Sequence, residues 1–320
     1  MERRTFVGAA LAAAAGAALP TTALAALPGE RRPRAAAPAF TLKFAPHFGM
    51  FAAHAGDDPV AELRFMHEQG FRAVEDNLMR KRPIEVQEAI GREVKRLGME
   101  IGLISAMQRP NTPPGYVRPQ IASGKPHDRE ELLRDVRDTI EVAKRVGARC
   151  ILVTPGQLEA GVELSYQMVN AIENLRAAAK VVEPHGLTML VEPLNPWVNH
   201  PGAFVTKSSQ LFELVRGVDS PAFKMLFDIY HLQISEGNLI GNFDRCRSAI
   251  GYIQTGDVPG RNEPGTGEIN YARVFEHIQR RGYTGVIGTE HNNSKPGKDG
   301  ELAVIAAYRK VDVRAGATGS

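Results

Sequence analysis

Residues 252–271 read YIQTGDVPGRNEPGTGEINY: a short apolar run that reaches Gln254, then proline, glycine and charged residues up to Tyr271, where a helical pattern begins. Three other segments share this form. VEPLN (191–195) and FDIYH (227–231) precede it and GTEH (288–291) follows, so Glu192, Asp228, Gln254 and Glu290 each lie at or near the end of a short apolar run. Intervals of 36, 26 and 36 residues separate the four, and each interval holds one amphipathic helical stretch. That spacing is the period of a βα unit.

Outward from these segments, the alternation runs back to residue 41 and on to residue 311. The strand candidates are 42–48, 71–76, 100–106, 149–156, 188–194, 224–230, 252–257 and 285–291. Helix candidates lie between them at about 59–69, 84–97, 128–146, 165–184, 208–217, 238–250 and 271–281, with an eighth at about 300–311. Gly70, Gly98, Gly147, Gly186 and Gly282 stand directly before strands, where a helix stop is needed. Eight strictly alternating units predict a single-domain (β/α)8 TIM barrel over 41–312, with 313–320 a flexible tail; an open doubly wound sheet more often stops at five to seven strands. The active face of such a barrel is built at the C-terminal ends of its strands, where all four candidate residues fall.

The first 25 residues follow other rules. Arg3 and Arg4 precede Thr5 and Phe6, an alanine-rich apolar run follows, and Ala23-Leu24-Ala25 has the small-x-small form of a cleavage site. The paired arginines resemble the twin-arginine class of export signals, although the flanks match only in part. The apolar run is shorter than the roughly 20 residues that span a bilayer. A cleaved signal over 1–25, handled by the twin-arginine export machinery, therefore predicts a periplasmic or otherwise exported protein with no stable membrane insertion. Residues 26–40, rich in Ala, Pro and Arg, read as a disordered spacer.

The hydrophobic share of 43% and charged share of 23% suit a sizeable globular core. The net charge is only +3, and basic residues interleave with acidic ones, as in DREELLRDVRDTIEVAKR (128–145), so these are solvated helix faces and nucleic acid is not an expected partner. Cys150 opens the apolar run CILV and reads as a buried thiol; a disulfide with Cys246 is chemically permitted in an exported protein. The sequence leaves a homodimer open.

Three carboxylates and one amide carbonyl, Glu192, Asp228, Glu290 and Gln254, make an oxygen-rich shell that suits one Mg²⁺, Mn²⁺ or Co²⁺ ion, with Zn²⁺ also compatible. These residues resemble the xylose-isomerase-like barrels, and within them the hydroxypyruvate isomerase family. EPLN (192–195), FDIYHLQ (227–233), DVPGRNEPGTGEINY (257–271) and GYTGVIGTE (282–290) carry the resemblance. It implies that Glu192, Asp228, Gln254 and Glu290 bind the metal, that Glu192 and Glu290 also exchange protons with the substrate, and that His231 hydrogen-bonds a substrate oxygen. The implied reaction interconverts hydroxypyruvate and 2-hydroxy-3-oxopropanoate: a proton is removed beside a carbonyl and one is returned to the neighbouring carbon. Arg261, in the PGR turn, offers a guanidinium fork for a substrate carboxylate or hydroxyl, or anchors its loop to Glu263 or Glu268. The glycines and prolines of 259–267 shape that loop; GRNEPGTG lacks the lysine of a phosphate-binding loop.

Some positions depart from the family pattern. Tyr252 stands where these isomerases usually carry histidine, and His291 where they carry tyrosine. VEDNLMRK after strand two, and PHFGMF with His47 and His54 after strand one, also differ. A sugar substrate therefore stays open, with ketose epimerisation or 3-keto-glycoside lysis or hydrolysis on the same site. DNA-repair endonucleases on this fold use several zinc ions held by many histidines, which this chain lacks at most strand ends. A non-enzymatic sugar-binding barrel is the remaining reading, and retention of both Glu192 and Glu290 counts against it.

Overall fold

The computed structural model describes residues 37–108 and 121–312. The signal at 1–25, most of the spacer and the tail at 313–320 lie outside the described residues. Eight parallel strands form one sheet: β1 (Lys43–Pro46), β2 (Ala73–Asp76), β3 (Glu100–Ser105), β4 (Ala148–Val153), β5 (Thr188–Val191), β6 (Phe223–Asp228), β7 (Ile250–Gln254) and β8 (Val286–Thr289). Their order is β1-β8-β7-β6-β5-β4-β3-β2, and a parallel bridge between His47 and Glu75 brings the two outermost strands together. The expected TIM barrel is present as one domain.

Around the strands run α1 (Ala52–Ala55), α2 (Pro59–Glu68), α3 (Ile84–Leu97), α4 (Pro126–Val146), α5 (Leu164–Val182), α6 (Ser208–Val218), α7 (Ile229–Ser235), α8 (Leu239–Cys246), α9 (Tyr271–Arg280) and α10 (Gly297–Val311). Eight of these match the helices read from sequence; α1 and α7 are additional. Residues 229 and 230 were expected in strand six but begin α7, because the Asp228 carboxylate accepts the His231 backbone N–H at 3.0 Å and caps a new helix. Asp58 caps α2 in the same way, and α3 and α4 end on Gly98 and Gly147 in the left-handed conformation (φ 65° and 78°). Ordered chain begins before residue 41: Ala37 and Phe40 donate backbone hydrogen bonds to Glu68 and Gly70, and Phe40 is buried. Cys150 and Cys246 are free thiols, the first only partly buried by area, although its surroundings push it up to about 12.

The barrel interior is a layer to which every strand gives one residue: Ala45, Ala73, Leu103, Leu152, Leu190, Leu226, Tyr252 and Val286. Phe44, Ile151, Met189, Phe227, Ile253 and Ile287 face the other way and pack in the same core as Ile90, Leu132, Val136 and Leu175 of the helices. Side chains alternate along a strand, so the residue two places beyond an interior residue also points inward, one layer higher. That rule positions the site.

Candidate active site at the barrel mouth

Two residues above Leu190, Leu226 and Tyr252 stand Glu192, Asp228 and Gln254; four above Val286 stands Glu290. Asp228 and Gln254 are the last residues of their strands, and Glu192 and Glu290 are the first beyond theirs. All four thus converge on one mouth, as the sequence pattern required. Glu192, Asp228 and Gln254 are buried, whereas the Glu290 side chain keeps 26% of its surface exposed.

The loop quoted above delivers a cation to these acids. Asp257 is fully buried; its carboxylate accepts the backbone N–H groups of Val258 and Ile269 on one oxygen and of Gly265 and Gly267 on the other, at 2.8 to 3.1 Å. A side chain at Gly267 would overlap the Val258 carbonyl, so this glycine is there for space. The folded loop places Arg261, at φ 50°, over the mouth. Its Nη2 donates to Glu290 Oε2 at 2.7 Å and lies 3.7 Å from Asp228 Oδ2, its Nε donates to the Glu290 carbonyl, and the guanidinium sits over the Tyr230 ring. Arg261 does not anchor the loop through Glu263 or Glu268, which pair with Ser294 and Gln233 instead. Asn77, at the end of β2, donates to the other Glu290 oxygen at 2.7 Å.

His231 lies on the first turn of α7, against the acids. Its Nδ1 accepts from the Asn195 backbone N–H at 3.0 Å and from the Asn195 side-chain amide at 2.7 Å. The Asn195 amide oxygen accepts from the backbone N–H groups of Val198 and Asn199, which sets the amide's orientation. The neutral ring therefore carries its hydrogen on Nε2, 3.4 Å from Glu192 Oε1 and 3.9 Å from Asp228 Oδ2. Glu192, Asp228 and His231 offer atoms within 4.8 Å of one another, but this tautomer makes His231 a donor toward the mouth and not a metal ligand.

The electrostatics of the mouth call for positive charge. Burial, then the neighbouring Glu290 and Asp228, push Glu192 well above the ordinary carboxylate range, and burial raises Asp228 and Glu290 with Arg261 opposing. Burial, then Arg261 and His200, hold His231 well below the usual imidazole value. Gln254 completes the test of fit. Its amide nitrogen donates to Glu75, while its buried Oε1 has no hydrogen-bond partner among the described residues. An amide oxygen without a donor, on the strand paired with that of Asp228, together with the close Glu192 and Asp228 carboxylates and Glu290 joined to Asp228 through Arg261, is a donor set suited to one hard divalent cation.

Sequence reasoning missed several residues. Glu75 lies two places above Ala73 on β2 and is buried under the mouth, where it accepts from Gln254 and from the Tyr252 hydroxyl. Asn77 and Asn195 stood inside segments already singled out, and inward alternation applied to β2 would have found Glu75. His200 lies tilted against His231, with 5.3 Å between ring centroids and 51° between the ring planes. Other singled-out groups are turned elsewhere: His291 bonds Tyr308 and the Asn292 carbonyl, and His54 pairs with Glu301.

A family model described as xylose isomerase-like TIM barrel matches residues 63–311. The chain is 33% identical over 236 residues to a putative hydroxypyruvate isomerase of Danio rerio, covering 72% of this chain and 82% of that protein. It is 34% identical over 196 residues to a 2-oxo-tetronate isomerase of Pectobacterium atrosepticum, covering 59% and 73%. Among solved structures, an AP endonuclease, family 2, from Brucella melitensis superposes with a TM-score of 0.71 at 29% identity, over 83% of this chain and 99% of that one.

Proposed function

The chain belongs to the xylose isomerase-like TIM barrel family, and on that premise we propose that it is a divalent-metal-dependent isomerase acting on a small hydroxy-keto acid. The reaction we assign interconverts hydroxypyruvate and 2-hydroxy-3-oxopropanoate. One observation carries this reading: Glu192, Asp228, Glu290 and the unpartnered Gln254 oxygen converge at the mouth, with a glutamate on each side of the shell. Those four residues would hold Mg²⁺, Mn²⁺ or Co²⁺, or Zn²⁺, and the ion would supply Lewis-acid stabilisation of the negative charge that develops on the substrate oxygens.

The chain's own groups do the rest. One of Glu192 and Glu290 takes the proton from the hydroxyl-bearing carbon, a proton is returned to the former carbonyl carbon, and the hydroxyl proton passes between the two substrate oxygens. Arg261 and Asn77 hold both oxygens of Glu290, so its aim is set before substrate arrives. His231, with Nε2–H fixed by Asn195, donates toward a substrate oxygen. Arg261 is also the group suited to a substrate carboxylate. Gln254, where a further zinc site would call for histidine, gives no support to an endonuclease built on several zinc ions.

A second reading, a larger polyhydroxylated substrate undergoing epimerisation or 3-keto-glycoside cleavage, draws on one observation. Asn77 Oδ1 is buried without a partner among the described residues, an acceptor suited to an additional hydroxyl. Export to the periplasm through the 1–25 signal is proposed from the sequence alone. The test is NMR in D₂O on the Mg²⁺-loaded protein with hydroxypyruvate, ketoses and a 3-keto-glucoside. Deuterated aldehyde product from hydroxypyruvate supports the isomerase; exchange or cleavage with a sugar alone moves the protein to the second reading. Exchange with none of them removes both.

A further inference from the structure

We infer that Glu75 is a positioning residue that fixes the Gln254 amide with its oxygen turned to the three carboxylates, and so sets the affinity of the site for its cation. This rests on the metal site proposed above. An amide is nearly symmetric in shape but opposite in polarity at its two ends, and a reversed Gln254 would aim an NH₂ group at a cation. At the barrel mouth only hydrogen bonding distinguishes the two orientations. Glu75 does so: both its oxygens lie 3.3 Å from Gln254 Nε2, and Oε2 also accepts the Tyr252 hydroxyl at 3.0 Å. All three groups are buried, so water does not compete for these bonds.

The barrel makes room for this arrangement at two glycines. A Cβ at Gly288 would overlap the Glu75 carboxylate, and one at Gly102 would overlap the Tyr252 hydroxyl. Neither glycine has a positive φ, so space alone accounts for both. Contributions from β2, β3, β7 and β8 thus surround one carboxylate beneath the mouth. Glu75 is buried and bonds Tyr252 and Gln254; it acts through Gln254, as the outer partners of metal ligands commonly do.

The test is the Mn²⁺ affinity of the full chain, read by electron paramagnetic resonance of free Mn²⁺, with the unfolding midpoint of each variant measured in parallel. Glu75→Gln is nearly isosteric, and its NH₂ favours the reversed Gln254, so affinity should fall about 10- to 100-fold while the protein stays folded. A carboxylate at position 254 has no wrong orientation. Adding Gln254→Glu to Glu75→Gln should therefore restore affinity to within about threefold of wild type. Gly288→Ala, which alters no polar group, should weaken Mn²⁺ in the same direction as Glu75→Gln. Affinity within about twofold of wild type in folded Glu75→Gln, or failure of Gln254→Glu to rescue it, overturns the inference and leaves the metal site standing. Wild-type protein that binds no Mn²⁺ overturns the metal site and the inference with it.

Discussion

The two halves of the barrel carry the same scaffold and different chemistry. At the inward position above the interior layer, β5, β6 and β7 place Glu192, Asp228 and Gln254, and β8 reaches Glu290 one step higher. The equivalent positions on β1, β2 and β3 are His47, Glu75 and Ser105. There His47 faces the Phe48 and His291 carbonyls, Glu75 holds Gln254, and Ser105 accepts the Met107 N–H. The cation proposed above is small compared with the barrel's girth, so side chains drawn from neighbouring strands would reach it. The opposite half is left to orient those ligands and close the core.

The largest effect should come from the ligand half. Glu290→Gln keeps the shape but leaves a single acceptor oxygen for Asn77 and Arg261 and removes a proton carrier, so turnover should drop about 10²- to 10⁴-fold with the fold intact. Turnover within about twofold of wild type would take Glu290 out of proton transfer. The supporting half should respond in stability instead: Leu103→Ala, at the interior layer of β3, should cost about 2–5 kcal/mol in denaturant unfolding with Mn²⁺ affinity little changed. Equal loss of affinity and stability there would erase the division between the halves.

A smaller change is expected at Asn195, which fixes the His231 tautomer. Asn195→Ala leaves the backbone donor to Nδ1 and removes the side-chain donor, so kcat should fall about tenfold with Mn²⁺ affinity preserved. Lost Mn²⁺ affinity would mean that His231 is a ligand after all. The buried acids add a pH effect of defined sign. Glu192, Asp228 and Glu290 are all raised in the fold, so in the metal-free protein these three groups bind more protons folded than unfolded. Their contribution to stability without metal should therefore be complete below the ordinary carboxylate values of 3.8 and 4.5 and be lost as pH rises through the raised ones. Mn²⁺ competes with those protons, so its affinity should climb over the same interval and the decline in stability should disappear in its presence. Melting curves at several pH values, with and without Mn²⁺, check both. Least of all, breaking the exposed Lys43–Glu100 pair with Lys43→Ala should cost below about 1 kcal/mol.

The eightfold frame was legible because it is local. Helical period, strand runs and glycines such as Gly98 and Gly147 each act within a few residues of sequence. The positions of Glu192, Asp228, Gln254 and Glu290 at the mouth were legible because each follows its own apolar run, and the 252–271 motif holds its loop through the nearby Asp257. The partners of Glu75 and Asn77 were not legible, because they lie far along the chain. Tyr252 meets Glu75 across 177 residues and Glu290 meets Asn77 across 213, pairings that only barrel closure creates. The helical start at Ile229 was hidden for a related reason: Asp228 reads as a strand end, and its second role as a helix cap appears only in the geometry.

The central claim is that one divalent cation sits among Glu192, Asp228, Gln254 and Glu290. Crystals soaked in Mn²⁺ and measured near the manganese absorption edge test it most directly. The account predicts one anomalous-difference peak bonded to those four side chains, with the Gln254 oxygen facing it and His231 outside the bonded shell. A peak bonded to His231 Nε2, or no peak at the mouth, would contradict it.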